Sequence, residues 1–350
     1  MADIPPLKVA DVEACRFSAW YPTFRKHSPK ATIIKPLSEE FINYLEMDSI
    51  FVPDGSGPMG ISELSDDDDP NGSESSEDFS WQISFPELDA DIRAAITKYD
   101  GAVFPKLNWT CPQDAAWMVP GSDLKCNTPA DVYLLLKASD FIAHDLDHAF
   151  ENCIDYAPMN SKRPYDFELV LKKWFSMPRS QEWRCIVRDK TLVVLKAIIQ
   201  RDDNFYEFLQ PEEAQREITC KVSEFFESVV LPSFPSQSYV FDIYFTRNNE
   251  RIFVIDFNPY VETTDSLHPT WEDLNALTIN TPNLPRIYII NDSRISSNLP
   301  KFSHNMLPRE AIDLSNGASI AEFAKKWRKA LADGVEESES EEDVQVTIGR

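Results

Sequence analysis

Apolar side chains recur every three to four residues in some stretches of this chain and every second residue in others, and the two periods separate helices from strands. Pro86 to Tyr99 carries Leu88, Ile92 and Ile96 at helical spacing and runs into Gly101, which predicts a helix with a glycine stop. Thr128-Pro129 opens a second helix reaching about Ser139, Pro211 to Val230 forms a third, and Ile320 to Ala332 forms a last one behind Ser319 as N-cap. Strands are expected at Ala102 to Phe104 and at Phe167 to Leu171. Trp183 to Val187 with Leu192 to Ile199 reads as a hairpin turning at Asp189-Lys190, and Phe241-Asp242-Ile243-Tyr244 with Ile255-Asp256-Phe257-Asn258-Pro259 as another. Locally joined strand pairs separated by helices predict an α+β fold with mostly antiparallel sheets. At 350 residues the chain can form two lobes, expected over 1–175 and 176–333.

The last hairpin departs from its own pattern, because it sets oxygen-bearing side chains into otherwise apolar strands. A carboxylate there must be paired, hydrogen-bonded or bound to a cation, since an isolated charge in low dielectric costs several kcal/mol or shifts its pKa. Strand alternation puts Asp256 and Asn258 on one face. A three-residue loop at Asn248-Asn249-Glu250 sets Arg247 opposite Arg251 and Asp242 opposite Asp256, close enough to share one ion, and is the expected turn. A two-residue loop would turn Asp242 to the other face. Magnesium takes one or two protein carboxylates together with phosphate oxygens and waters, which Asp242, Asp256 and Asn258 suit as metal ligands when phosphates are present.

Charge narrows the partners. The formal net charge is −24, but Glu63 to Asp78 holds eight acids and Asp333 to Asp343 seven, so most of the surplus lies in two low-complexity segments. Residues near 62–80 and 334–350 lack the apolar content to pack and are expected to be a disordered loop and tail. With no basic stripe, direct nucleic-acid contact is not expected. A basic protein partner fits better. Six cysteines are scattered without a Cys-x-x-Cys pair, and neither a membrane-spanning run nor a signal-peptide pattern is evident, so reduced thiols and a cytoplasmic home are expected. No Walker loop, dinucleotide glycine fingerprint or Gly-x-Ser-x-Gly occurs, and His144 and His148 lack the His-Glu-x-x-His context of a zinc site.

Several polar residues stand where strands end, the places that line clefts. Lys106 follows Phe104-Pro105 and could meet a phosphate as a point charge, or be a surface lysine. The strand Phe167 to Leu171 exits into Lys172, Lys173 and Trp174, leaving backbone groups free to read a purine edge. Glu182 could take ribose hydroxyls and Arg184 a phosphate or an acidic site residue, or the two could form an ordinary cross-strand pair. Arg201, in Gln200-Arg201-Asp202, is a further phosphate candidate.

Taken together, Phe104-Pro-Lys-Leu-Asn-Trp109, Leu169-Val-Leu-Lys-Lys-Trp174, Trp183-Arg-Cys185, Gln200-Arg-Asp202, Phe241-Asp-Ile-Tyr244, Ile255-Asp-Phe-Asn-Pro259 and Thr264-Asp-Ser-Leu267 resemble the cell division cycle protein 123 family, over about residues 30 to 290. The resemblance implies a two-lobed ATP-grasp-like fold that binds ATP and Mg2+. It implies an assembly factor that binds the gamma subunit of eukaryotic translation initiation factor 2, promotes formation of the heterotrimer, and supports translation initiation and cell-cycle progression, acting as a monomer. Carried over, Lys106, Lys172, Lys173, Trp174 and Arg184 surround the nucleotide, joined by Asn108, Glu182 and Arg201, while Asp242, Asp256 and Asn258 hold magnesium. The alternative is an ATP-dependent ligase or kinase. Cys111 to Leu124 contains only Gly121 where such ligases carry a glycine-rich loop, and Pro259-Tyr260-Val261-Glu262 stands where they place an arginine, so part of the charge stabilisation for phosphoryl transfer is missing.

Overall fold

The structure, a computed structural model, describes residues 4–47, 51–57, 83–119, 124–157, 165–189, 195–246, 251–276 and 285–292. In chain order the elements are α1 (Val9–Cys15), α2 (Phe17–Phe24), β1 (Ala31–Ile34), α3 (Glu39–Glu46), α4 (Pro86–Lys98), β2 (Val103–Lys106), α5 (Pro129–Lys137), α6 (Asp140–Asp147), β3 (Leu169–Lys173) and β4 (Glu182–Val187). There follow β5 (Leu195–Gln200), α7 (Glu212–Phe225), β6 (Tyr239–Phe245), β7 (Ile252–Pro259), α8 (Trp271–Ala276) and β8 (Arg286–Tyr288). The acidic segments and the helix expected at 320–332 lie outside the described residues. Among the described residues, no helix is long and apolar enough to cross a membrane.

The chain divides into two compact units, each assembled from separated stretches. Unit 1 takes Met1–Leu37, Val103–Cys111 and His144–Lys301; unit 2 includes Ser38–Ala102 and Pro112–Ala143.

In unit 2, α4 ends as its sequence indicates. Gly101 adopts φ +93°, a region that a side chain makes costly, and its N–H returns to the Ile96 carbonyl at 2.9 Å. Thr128 caps α5 in a reciprocal box with Asp131. The core is aromatic: Phe41, Tyr44, Phe85 and Tyr133 meet edge-on or tilted at centroid distances of 5.2–6.3 Å. Within it the Tyr133 hydroxyl donates to buried Asp89 at 2.6 Å.

Unit 1 holds two sheets. A three-stranded antiparallel sheet runs β1-β3-β2 and a five-stranded sheet runs β7-β6-β4-β5-β8, antiparallel except for the β5–β8 pair. The expected antiparallel α+β build is therefore present, with one parallel edge strand that the local hairpin signals did not reveal. One face of the larger sheet carries Cys185, Ile198, Tyr239, Phe241 and Phe257 into the main core. Phe257 stacks on Phe234 at 4.0 Å and meets Trp20 of α2 at 5.2 Å. Burying such a ring contributes about 1.5–3 kcal/mol. On the other face Ile186, Ala197, Ile199 and Val240 pack under Tyr260 and Leu274.

The β6–β7 register reaches the expected pairing by a different route. Phe245 stands opposite Ile252, one residue away from the register that a three-residue loop over 248–250 sets, and the turn itself lies outside the described residues. A β-bulge between Asp242 and Ile243 then restores the count: Ile243 faces Val254, Asp242 faces Asp256, and Ile255 is the extra residue. Both aspartates consequently share a face.

Candidate functional site

Strand alternation concentrates charge on two faces of unit 1. On the three-stranded sheet, Phe104 pairs with Lys172 and Lys106 pairs with Val170, so both lysines lie on the same side. On the five-stranded sheet, Arg184 pairs with Asp242 and Asp242 with Asp256. Hydrogen bonds join these faces: the Lys106 ammonium donates to Asp256 Oδ2 at 2.6 Å, and Lys172 Nζ donates to the Ile255 carbonyl at 2.6 Å. The carbonyl that receives Lys172 thus belongs to the bulge residue, whose backbone is released from the regular ladder.

Asp242 is the most enclosed acid of the group, 2 % exposed. Arg184 holds it in a fork, Nε to Oδ1 and Nη2 to Oδ2, both 2.8 Å, and Arg201 Nη1 adds a bond to Oδ2 at 2.9 Å. Burial alone would raise its pKa, but the two guanidiniums outweigh that and hold the carboxyl below its ordinary value of 3.8. Arg184 also donates from Nη1 to the Asp265 carbonyl at 2.5 Å, which ties the segment after β7 to the site.

The pKa values of the two buried lysines move in opposite directions. Burial works against the Lys106 ammonium, yet Asp256 overcomes it and its pKa stands above the ordinary lysine value. Lys172, 1 % exposed, is lowered by burial, which its acidic neighbours do not offset. Its Nζ lies 5.2 Å and 5.3 Å from the ring centroids of Phe17 and Phe104, and no carboxylate forms an ion pair with it among the described residues. Glu182, on the same side as Arg184 by alternation, is pushed up by burial and held back by Arg201. Lys106, Lys172, Arg184 and Arg201 therefore stand with Asp242, Asp256 and Glu182, four basic side chains to three acidic ones. That surplus suits an anion.

The remaining expected residues are placed differently. Asn108 is engaged in scaffolding: its side-chain oxygen accepts the Glu168 N–H at 2.8 Å, its side-chain nitrogen donates to the Asp166 carbonyl at 3.0 Å, and its own carbonyl accepts the Phe17 N–H at 3.0 Å. Lys173 follows Lys172 in β3, so alternation turns it to the opposite face, and Trp174 stands half-buried just beyond the strand. Asn258 is half-buried opposite Val240, two residues from Asp256. His148 is exposed and faces Glu151 at 3.2 Å.

Whether the donors suit magnesium can be judged from their lone pairs. Asp242 Oδ1 accepts one bond, and the two Asp256 oxygens accept one each, from Lys106 and from the Phe257 N–H. A carboxylate oxygen has two acceptor directions, so each of these three retains one. Among the described residues, no group of three or more His, Cys, Asp or Glu side chains could hold a metal ion. In so cationic a surrounding the set suits magnesium only together with phosphate oxygens.

Asp145 was not singled out from the sequence. It accepts the N–H groups of Trp109 and Thr110 and the Thr110 hydroxyl, directly behind Lys106. Its signal was available: Ile142, Asp145, Leu146 and Ala149 follow apolar helical spacing, and an acid in that series is an anomaly.

A family model described as D123 matches residues 20–315. A protein named translation initiation factor eIF2 assembly protein from Schizosaccharomyces pombe is 41% identical over 90% of this chain and 94% of its own length. One of the same name from Vanderwaltozyma polyspora is 37% identical over 97% and 96%. The solved structure of Cdc123 from Schizosaccharomyces pombe is 38% identical, with a TM-score of 0.67 over 82% of this chain and 99% of that one.

Proposed function

This chain belongs to the D123 family, and from that membership and the charge arrangement in unit 1 we propose that it is an ATP- and magnesium-binding assembly factor for translation initiation factor eIF2. The observation that carries the nucleotide reading is Lys172, a buried lysine with no carboxylate in ion-pair contact among the described residues, set beside Lys106, Arg184 and Arg201. Burying such a group without an opposite charge is costly, and a polyphosphate is the ligand that removes the cost. The assembly role rests on relatives that carry that name across nearly their whole lengths.

In this reading Lys106, Lys172, Arg184 and Arg201 hold the phosphates. Asp242, Asp256 and Asn258 hold magnesium through the acceptor directions they retain, and Trp174, Lys173 and Glu182 border the nucleoside end. Magnesium, when bound, neutralises part of the phosphate charge. Lys106 and Lys172 come from one sheet and the aspartates from the other, so a ligand bridging them stiffens unit 1. We assign the gamma subunit as the partner that the stiffened protein grips, in the cytoplasm.

ATP with magnesium is expected to raise the melting temperature by several degrees, since ligand at a hundred times its Kd stabilises by about 2.7 kcal/mol. Asp256→Ala is expected to lose the magnesium-dependent part. A variant that shifts as much as the wild type would remove the ion assignment. Pull-down of recombinant gamma subunit is expected to strengthen with ATP and magnesium, and ADP accumulating faster when the subunit is added would indicate turnover instead.

A further inference from the structure

Lys106 has three N–H groups. One donates to Asp256 Oδ2 at 2.6 Å and one to the Trp109 carbonyl, and the third has no acceptor among the described residues. Around a tetrahedral nitrogen, two fixed bonds also fix the direction of the third. The direction in which Lys106 can meet an anion therefore depends on where the Trp109 peptide points.

That peptide is held from behind. Asp145 Oδ2 accepts the N–H of Trp109 at 3.1 Å and of Thr110 at 2.9 Å, and Oδ1 accepts the Thr110 hydroxyl at 2.6 Å. The turn closes with the Leu107 N–H on the Thr110 carbonyl at 2.9 Å, while the Trp109 indole N–H is anchored on the Val12 carbonyl at 2.9 Å. Asp145 is itself 2 % exposed, and the Tyr165 hydroxyl donates to its backbone carbonyl at 2.7 Å. A clamp that only stabilised the turn would need no connection to Lys106. Here the clamped carbonyl is the one that Lys106 uses.

We propose that Asp145 is a positioning residue for anion binding: without touching the ligand, it orients the Trp109 peptide so that the free N–H of Lys106 points at the bound phosphate. This rests on the nucleotide reading given above for its ligand, but not for its geometry. Asp145→Asn keeps the shape but removes the charge, so the N–H groups of Trp109 and Thr110 meet a neutral acceptor and the amide nitrogen reverses the bond to the Thr110 hydroxyl.

The test is a double-mutant cycle of Asp145→Asn and Lys106→Met, read by calorimetric titration with ATP and magnesium and by melting temperature. Asp145→Asn is expected to weaken ATP binding about tenfold when Lys106 is present, the size of one lost charge-assisted hydrogen bond. It is expected to cause no further loss in the Lys106→Met background, while lowering the melting temperature in both. An equal loss of affinity in both backgrounds would make Asp145 a general stabiliser and overturn the proposal. Should Asp145→Asn fail to fold, Thr110→Val removes only the hydroxyl contact and is expected to give about threefold with the same dependence on Lys106, again from hydrogen-bond magnitudes; additivity there overturns it equally. If the wild type itself binds no ATP, the nucleotide reading fails, and Asp145 is judged on ligand-free protein by NMR of 15N-labelled lysine ammonium groups. The resonance that disappears in Lys106→Met is expected to broaden in Thr110→Val and in Asp145→Asn, and an unchanged resonance overturns the positioning role.

Discussion

In unit 2 the buried carboxylate of Asp89 meets the Tyr133 hydroxyl at 2.6 Å inside an aromatic cluster, with Arg93 3.8 Å away and half exposed. In unit 1 the buried carboxylate of Asp242 is gripped by two arginines, with two buried lysines on the facing sheet. Both acids are equally hidden from water, so burial of a charge does not by itself mark a site. What separates them is balance. Asp89 is satisfied by its own neighbours, and burial together with the hydrogen bond to that carboxylate pushes the Tyr133 phenol well above its usual range. The cluster around Asp242 holds four basic side chains, Lys106, Lys172, Arg184 and Arg201, against three acidic ones, and in the reading proposed above a phosphate ligand completes it.

That contrast can be broken most forcefully at Asp242. Asp242→Ala leaves Arg184 buried without its acid and takes one of its acids from half-buried Arg201, and is expected to cost about 3–5 kcal/mol in urea unfolding. A loss below 1 kcal/mol would mean that solvent already reaches the Arg184 guanidinium. Tyr133→Phe is expected to cost about 1–3 kcal/mol by removing one hydrogen bond to a buried acid, and to leave the melting shift produced by ATP with magnesium unchanged. A reduced shift would undo the division between a structural and a binding acid.

Lys172→Met sharpens the contrast in the other direction. Replacing a buried, poorly compensated ammonium by an apolar side chain of similar length is expected to be neutral or to stabilise the ligand-free protein by about 1 kcal/mol, while abolishing the ATP shift. The smallest effect concerns pH. The folded-state pKa of Asp242 is depressed below 3.8, so its contribution is fully present above that value and is lost as pH falls through the lower folded value. Stability of the wild type is therefore expected to fall more steeply below about pH 4 than that of Asp242→Asn, measured by urea midpoints. Parallel curves would show that the arginines do not hold the acid.

Much of this was legible beforehand because it is local. Gly101 after Ile96, Thr128 before Pro129, and the alternation within Phe241 to Tyr244 act over one turn or one strand, and each specifies its own conformation. The pairing of Asp242 with Asp256 was anticipated from a loop length, yet it arises from a bulge at Ile255, which no turn signal announces. Asn108 illustrates the same limit, since only the returning segment around Asp166 and Glu168 determines what its amide bonds.

The sequence alone determined which residues could bear charge at strand ends and which face of each strand they share, since alternation is a property of the extended backbone. Only the tertiary structure decided that Asp242 answers to arginines, Asp256 to Lys106 and Lys172 to a carbonyl. Those partners lie up to 150 positions apart, and the free energy of a buried charge is decided by which opposite charges the packed sheets bring to it.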